Sequence, residues 1–268
     1  MPMNVFIFGL AAIALYLTVA VKTSEIARAS PNDHVPRATT TLLALSAVIA
    51  HALALYPMMV TAGGINLGIF SAASLVAWLI AGIAILAMLR YPVASLVVVI
   101  LPFTSVIVAI SLLFSDQRLF KQLPAGLALH IGLSLIAYSL VALAALQALY
   151  LAFAAHRLKS HAPVLRFLPP LATMEQVMFQ LTGIAFVLLS LGLIVGVPYI
   201  QDVRAQHLAH KIFFSALAWL TFAVLLLGRY HWRWRGRRAV KFVIAGFVLL
   251  GLGFFGSKVV LELILHRL

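Results

Sequence analysis

Nine histidines and not one cysteine define the chemistry open to this chain of 268 residues. Without thiols there is no disulfide, no thiolate metal site, no thioether linkage to a prosthetic group and no thiol–disulfide exchange. Imidazole is left as the main metal-ligating and proton-exchanging group. His34, His156, His161 and His231 stand beside other charges in connecting segments and read as solvated or headgroup residues, as does His266 at the end of the chain. His51, His130, His207 and His210 differ, because each lies inside or just before a long apolar stretch. His130, Ser134 and Tyr138 recur every four residues and share a helix face, and Lys211, Ser215 and Trp219 repeat that spacing beside His210. Polar stripes inside a bilayer face the bundle or a cavity. The six Asp and Glu residues form no catalytic pair, and no H-E-x-x-H motif, nucleophile elbow or P-loop is present, so the chain does not read as an enzyme.

The elements that must position these histidines follow from composition. With 64% hydrophobic and 9% charged residues and a mean hydropathy of +1.12, the chain cannot present a soluble surface. Spans of roughly 17–25 apolar residues fall at 5–21, 42–60, 67–89, 93–114, 124–154, 178–200, 212–227 and 242–265. Each must satisfy its own backbone in hydrocarbon. The expectation is an all-α polytopic bundle of about eight transmembrane helices, forming one integral-membrane domain over 1–268.

The net charge of +13 sorts by loop. Alternate connections hold thirteen basic residues on one side (Lys22, Arg28, Arg37, Arg90, Arg157, Lys159, Arg166, Arg229, Arg233, Arg235, Arg237, Arg238 and Lys241). Five stand on the other (Arg118, Lys121, Arg204, Lys211 and Arg267), and Lys258 lies within the last span. By the positive-inside rule the crowded loops are cytoplasmic and both termini face outward. The basic excess is thus a topology signal, and nucleic acid is not an expected partner. Met1-Pro2-Met3-Asn4 has no basic region ahead of its apolar run, which does not match a removed signal peptide.

Several residues shape the bundle. Pro102 should kink the fourth span, while Pro92 sits at a helix start. Gly192-x-x-x-Gly196, and Gly246, Gly251, Gly253 and Gly256, allow close helix approach. After Pro169-Pro170, Thr173-x-x-Gln176 matches a capping box, placing the start of the sixth helix near Met174. Lys258 and Glu262 are one turn apart and can pair or snorkel. Trp232 and Trp234 among the arginines read as an interfacial anchor for anionic headgroups, with docking of a cytoplasmic partner as the alternative.

At 1.5 Å per residue, His51 lies about 13 Å and His130 about 9 Å from the outer ends of their helices, so both can open with His207 and His210 on one outer vestibule. Two neutral imidazoles on opposing helices suit the axial positions of heme iron, and apolar helix walls suit the porphyrin faces. Lys121, Arg204 and Lys211 can pair with propionates. With no cysteine, such a heme would be noncovalent and b-type. The competing reading is that each histidine hydrogen-bonds to a neighbouring helix as packing.

Leu129-His130-Ile131-Gly132-Leu133-Ser134-Leu135-Ile136-Ala137-Tyr138, His210-Lys211-x-x-x-Ser215-x-x-x-Trp219 and 228–238 (GRYHWRWRGRR) resemble the cytochrome c assembly family of heme-handling membrane proteins, and within it the small YpjD-like, HemX-like branch. The likeness spans about 65–265. It implies an inner-membrane protein that presents heme at the outer face between two histidines, for which His130 and His210 match by position, with His207 adjacent. His51 resembles a buried internal histidine of the family. The implied partners are heme, apocytochrome or other assembly proteins and the lipid bilayer. One departure stands out: better-known members carry a tryptophan-rich outer segment between those histidines, whereas 197–210 has no tryptophan, only Pro198, Tyr199 and Asp202. A small-molecule transporter and an accessory subunit without heme are the alternatives.

Overall fold

The structure is a computed structural model that describes residues 3–28, 37–89, 94–114, 119–121, 123–160, 170–199 and 209–256. His34, Pro92, His161, Asp202, Arg204, His207, Lys258, Glu262 and His266 lie outside the described residues.

Eight helices follow the apolar stretches: α1 (Met3–Arg28), α2 (Arg37–Met59), α3 (Ile69–Met88), α4 (Ala94–Leu113), α5 (Ala125–Lys159), α6 (Leu171–Gly196), α7 (Ala209–Trp232) and α8 (Arg237–Gly251), the last continued by a π turn at Leu252–Gly256. Among the described residues, seven are long and apolar enough to cross a membrane. The far end of the eighth predicted span is outside the described residues. This is an all-α, multi-pass membrane fold. Three short antiparallel strands, β1 (Val60–Thr61), β2 (Gly64–Asn66) and β3 (Leu119–Phe120), join the α2–α3 and α4–α5 connections in the order β1-β2-β3. They are too short to leave a period-two signal in the sequence.

The helices pack as two compact units, α1–α4 and α5–α8, a division with no boundary signal in composition. In the first, α1 packs on α2 and α4, while α3 packs on α4 and α2. The core is built of small residues, with Ala12, Ala44, Ala47, Ala77 and Ala81 fully buried. Small side chains let backbones approach closely where lipid offers no hydrophobic drive. The Trp78 indole donates to the Val48 carbonyl at 2.9 Å, tying α3 to α2. Pro102 in α4, and Pro57 in α2, sit inside helices that continue past them.

The second unit centres on α5 and α6, which pack along their length, with α8 against α5 and α7 against α6 and α8. At 35 residues α5 is about 52 Å long, well beyond a hydrocarbon core of roughly 30 Å. Its buried run extends from Leu135 to Ala154, and His156, Arg157 and Lys159 occupy its last turn. The Gln147 amide donates to the Met174 carbonyl at 3.0 Å, anchoring the start of α6.

The capping-box expectation is corrected here. Helix α6 begins at Leu171 with Pro170 at the N-cap and no side-chain cap bond, so Thr173 is already inside the helix. Pro170, at φ −53° and ψ 138°, sets the entry geometry itself.

Candidate functional site: a histidine seated on glycines

The antiparallel α5–α6 pair carries a three-step zipper at the end where α5 begins. Small or polar groups on α5 at Gly126, His130 and Ser134 meet Tyr199, Gly196 and Gly192 in turn. The Tyr199 phenol lies directly on Gly126. The His130 ring lies across Gly196, where a Cβ would stand 2.6 Å from Nδ1 and 2.7 Å from Cε1. Ser134 faces Gly192, whose Cβ would stand 3.4 Å from Oγ. The two glycines are spaced like the two polar residues opposite them, and this is the geometry that admits an imidazole between two helices.

That seat also fixes the ring chemically. Nδ1 of His130 is 2.7 Å from the Gly192 carbonyl oxygen, which can only accept, so Nδ1 carries the hydrogen and donates. In the neutral ring the lone pair is therefore on Nε2, which makes no hydrogen bond to any described residue. A backbone carbonyl on one nitrogen, orienting the ring and raising the basicity of the other, is the usual support of a metal-ligating histidine.

His210 opens α7 in the same unit, and its Nε2 is buried without a hydrogen-bond partner among the described residues. A buried polar atom left so is costly unless something else satisfies it. Lys211 follows on the same turn. Ser215 is directed to the π turn after α8, where its Oγ would be 3.7 Å from a Cβ at Gly253. The Trp219 indole donates to Ser190 Oγ at 2.8 Å and stacks on Phe186, fastening α7 to α6. Tyr138 stacks on Phe254 and meets Phe247 at a tilt, both in the α8 segment. The polar stripe on α5 thus divides, His130 and Ser134 turning to α6 and Tyr138 to α8, as expected of a face that drifts around a helix of 3.6 residues per turn.

His51 is placed differently. It lies in the core of the first unit, 1% exposed, with Tyr16 OH 3.2 Å from Nδ1 and Ser74 Oγ 3.1 Å from Nε2. Ser111 Oγ is 3.5 Å beyond Ser74 and donates to the Val108 carbonyl at 2.8 Å. One assignment satisfies every buried hydroxyl: Tyr16 donates to Nδ1, Nε2–H donates to Ser74, Ser74 to Ser111 and Ser111 to the carbonyl. Tyr16, His51, Ser74 and Ser111 come one from each of α1 to α4, so this chain stitches the unit together, and both ring nitrogens are engaged. Lys121 is exposed beside β3 in the same unit.

Sequence reasoning singled out His130, His210 and Ser134 but took Gly192 and Gly196 for generic packing. The signal was the shared four-residue spacing of His130-x-x-x-Ser134 and Gly192-x-x-x-Gly196 on consecutive antiparallel helices. It likewise missed Tyr16, Ser74 and Ser111, which have no motif, and the buried carboxylate Glu175. That carboxylate accepts from Arg229 Nη1 at 3.0 Å, Arg235 Nε at 3.1 Å and the Gly236 amide at 3.2 Å, fastening the α7–α8 turn to the start of α6.

The family model described as "Cytochrome C assembly protein" matches residues 39–265. The chain belongs to the cytochrome c assembly protein family. The match includes both His51 and the α5–α6 seat, beginning earlier than the likeness visible in the motifs. Among curated relatives of this family member, the inner membrane protein YpjD of Escherichia coli is 35% identical over 225 residues, covering 82% of this chain and 86% of the relative. An uncharacterized 28.8 kDa protein of Azospirillum brasilense is 33% identical over 141 residues, 51% of this chain and 52% of its own. The cytochrome c biogenesis protein CcsA of Trichormus variabilis is 27% identical over 86 residues, 31% of this chain and 24% of the relative. No solved structure matches the chain significantly. Span-length helices and an inner-membrane relative together place this family member in the inner membrane as a multi-pass protein.

Proposed function

We propose that the chain is a noncatalytic heme-handling protein that presents noncovalent, b-type heme at the outer membrane face, with His130 and His210 as the axial ligands. The observation that carries this reading is the state of the two imidazoles in the second unit. His130 is held by the Gly192 carbonyl with Nε2 available, and His210 Nε2 is buried with no described partner. Two neutral imidazoles are a suitable donor set for heme iron. A seat that a single Cβ would fill keeps one of them from rotating away. Bound heme would supply a redox-active iron and two propionate carboxylates. This chain's residues would orient the imidazoles, wall the porphyrin with apolar helix surface and offer Lys211 to a propionate. His207 is the alternative to His210, and apocytochrome or other assembly proteins are the partners in this reading.

His51 is not assigned a ligand role, because both its nitrogens are engaged within the first unit. The same kind of observation favours a second reading, in which His130 only packs α5 on α6 and the protein is an accessory subunit without heme. Absorption spectra of the detergent-purified protein with added hemin, oxidised and reduced, decide between them. A low-spin Soret and alpha-band signature that weakens in His130→Ala and in His210→Ala, but persists in His51→Ala, is expected. A wild-type protein that takes up no hemin would end the heme reading.

A further inference from the structure

The α7–α8 turn holds a second site, at the other end of α7. Leu226, Arg229 and Tyr230 follow the i, i+3, i+4 spacing that shares a helix face, and with Arg233 and Arg235 from the turn they line a cavity of about 660 Å³. His210 lies 19 residues before Arg229, about 29 Å along the helix, and Glu175, which holds Arg229, lies 21 residues before Gly196, about 32 Å along α6, so this cavity is separate from both histidines. Three guanidiniums converge on it against one carboxylate. Glu175 engages Arg229 and Arg235, and among the described residues no acidic group pairs with Arg233. Two positive charges are left over at the rim.

The turn is built to hold that arrangement. Arg229 is clamped by Glu175 on one side and stacked over the Phe179 ring at 4.6 Å on the other. Trp234 lies on Gly228, its amide donates to the Gly228 carbonyl at 3.1 Å, and its ring carries Arg238 at 5.1 Å. Arg233 is held at φ 51°, in the left-handed region that non-glycine residues seldom occupy. The cavity is also two-sided in chemistry: Leu226 gives it an apolar wall, and Tyr230 and the guanidiniums give it donors. Leu220 and Leu227, both largely exposed on the same helix, continue as lipid-facing surface up to the exposed Trp232 and Tyr230. Aromatic and basic residues in that order mark the headgroup level of a bilayer.

We infer that this cavity binds the phosphate of an anionic phospholipid, with Arg233 as the specificity-determining contact and Arg229 and Arg235 as pre-positioned donors. Planar guanidiniums match tetrahedral phosphate oxygens with paired N–H donors. The apolar wall and the adjoining lipid-facing leucines favour a phosphate that arrives with acyl chains over a free one. The inference does not rest on heme binding, since it concerns the opposite end of α7.

Native mass spectrometry of the delipidated full-length protein tests it, with phosphatidylglycerol, phosphatidylcholine and inorganic phosphate as separate probes. The wild type should retain one phosphatidylglycerol at least about tenfold more tightly than phosphatidylcholine, and Arg233→Gln should erase that preference, the loss of one charge-assisted contact. Arg233 has no described ion pair to break, so the variant should melt as the wild type does without lipid. Equal binding of the two lipids, or an undiminished preference in Arg233→Gln, overturns the inference. Inorganic phosphate that displaces phosphatidylglycerol at equal concentration overturns the lipid assignment in favour of a free anion. A reading that needs no variant comes from a photoactivatable phosphatidylglycerol on wild-type protein. Label concentrated in 226–235 supports the site, and label spread evenly over the other spans refutes it.

Discussion

Substituting alanine for the three glycines of α6 separates a seat from a mere close approach. A Cβ at Gly183 meets nothing within 4 Å, one at Gly192 stands 3.4 Å from Ser134 Oγ, and one at Gly196 stands 2.6 Å from His130 Nδ1. All three gain helix propensity, up to about 1 kcal/mol. Gly183→Ala keeps that gain. Gly192→Ala should come out near neutral, because the Ser134 hydroxyl can rotate by the few tenths of an ångström required. Gly196→Ala must push the imidazole off its seat, which costs about 1–3 kcal/mol of overpacking and breaks the 2.7 Å bond to the Gly192 carbonyl, about 1 kcal/mol more. The difference between Gly196→Ala and Gly183→Ala should therefore be about 2–4 kcal/mol, the sum of those two terms. Reversible unfolding in mixed micelles measures it. Under the heme proposal the same change removes the support of a ligand, so hemin titration should show a fall in affinity of about 10- to 100-fold for Gly196→Ala and little for Gly183→Ala. If Gly196→Ala and Gly183→Ala are alike in both stability and hemin affinity, the ring is not seated on Gly196 and the reasoning from the zipper fails.

Three further outcomes are expected. Glu175→Gln leaves one acceptor for three donors and should cost about 2 kcal/mol in the same unfolding assay, less than the 3–5 kcal/mol of a fully buried pair, because the Arg229 and Arg235 side chains are 34% and 62% exposed. His51→Phe strands the Tyr16 hydroxyl and removes the donor to Ser74, and should destabilise the protein by about 1–2 kcal/mol, interhelical bonds in bilayers averaging roughly 0.6 kcal/mol each. Its hemin spectrum should match the wild type, and a lost Soret band in a folded His51→Phe would place a ligand in the first unit. Trp219→Phe keeps the stack on Phe186 but loses the bond to Ser190, and melting should register a cost of about 0.5–1 kcal/mol with no spectral change.

The helices were legible because hydrocarbon permits so few alternatives. Uninterrupted apolar runs of span length must be helical, and the observed α2, α3, α4 and α7 follow their predicted spans to within a few residues, apart from longer polar ends. What ran past the predicted limits is explained locally. Helix α5 continues beyond its apolar stretch to Lys159, where basic residues suit a C-terminal turn, and α6 starts early because Pro170 sets its entry. The strands at Val60, Gly64 and Leu119 depend on pairing between connections far apart in sequence, which no local pattern reveals. The same holds for the site. His130 was visible as a polar residue in a span, but its glycine seat became visible only when α5 and α6 were placed antiparallel in register. Glu175 was inconspicuous because its three donors come from 54 to 61 residues further along the chain.

The three described histidines of interest form a graded series in what their rings still have to offer. His51 has both nitrogens spent on hydroxyls from neighbouring helices and serves as the knot of the first unit. His130 has one nitrogen spent on a carbonyl that cannot change role, which orients the ring without exhausting it. His210 has a buried nitrogen with no described partner. Hydrogen-bond accounting thus separates a ring with both nitrogens engaged from two rings that each keep a nitrogen without a described partner, and this difference, independent of the family likeness, supports the proposal of His130 and His210 as ligands.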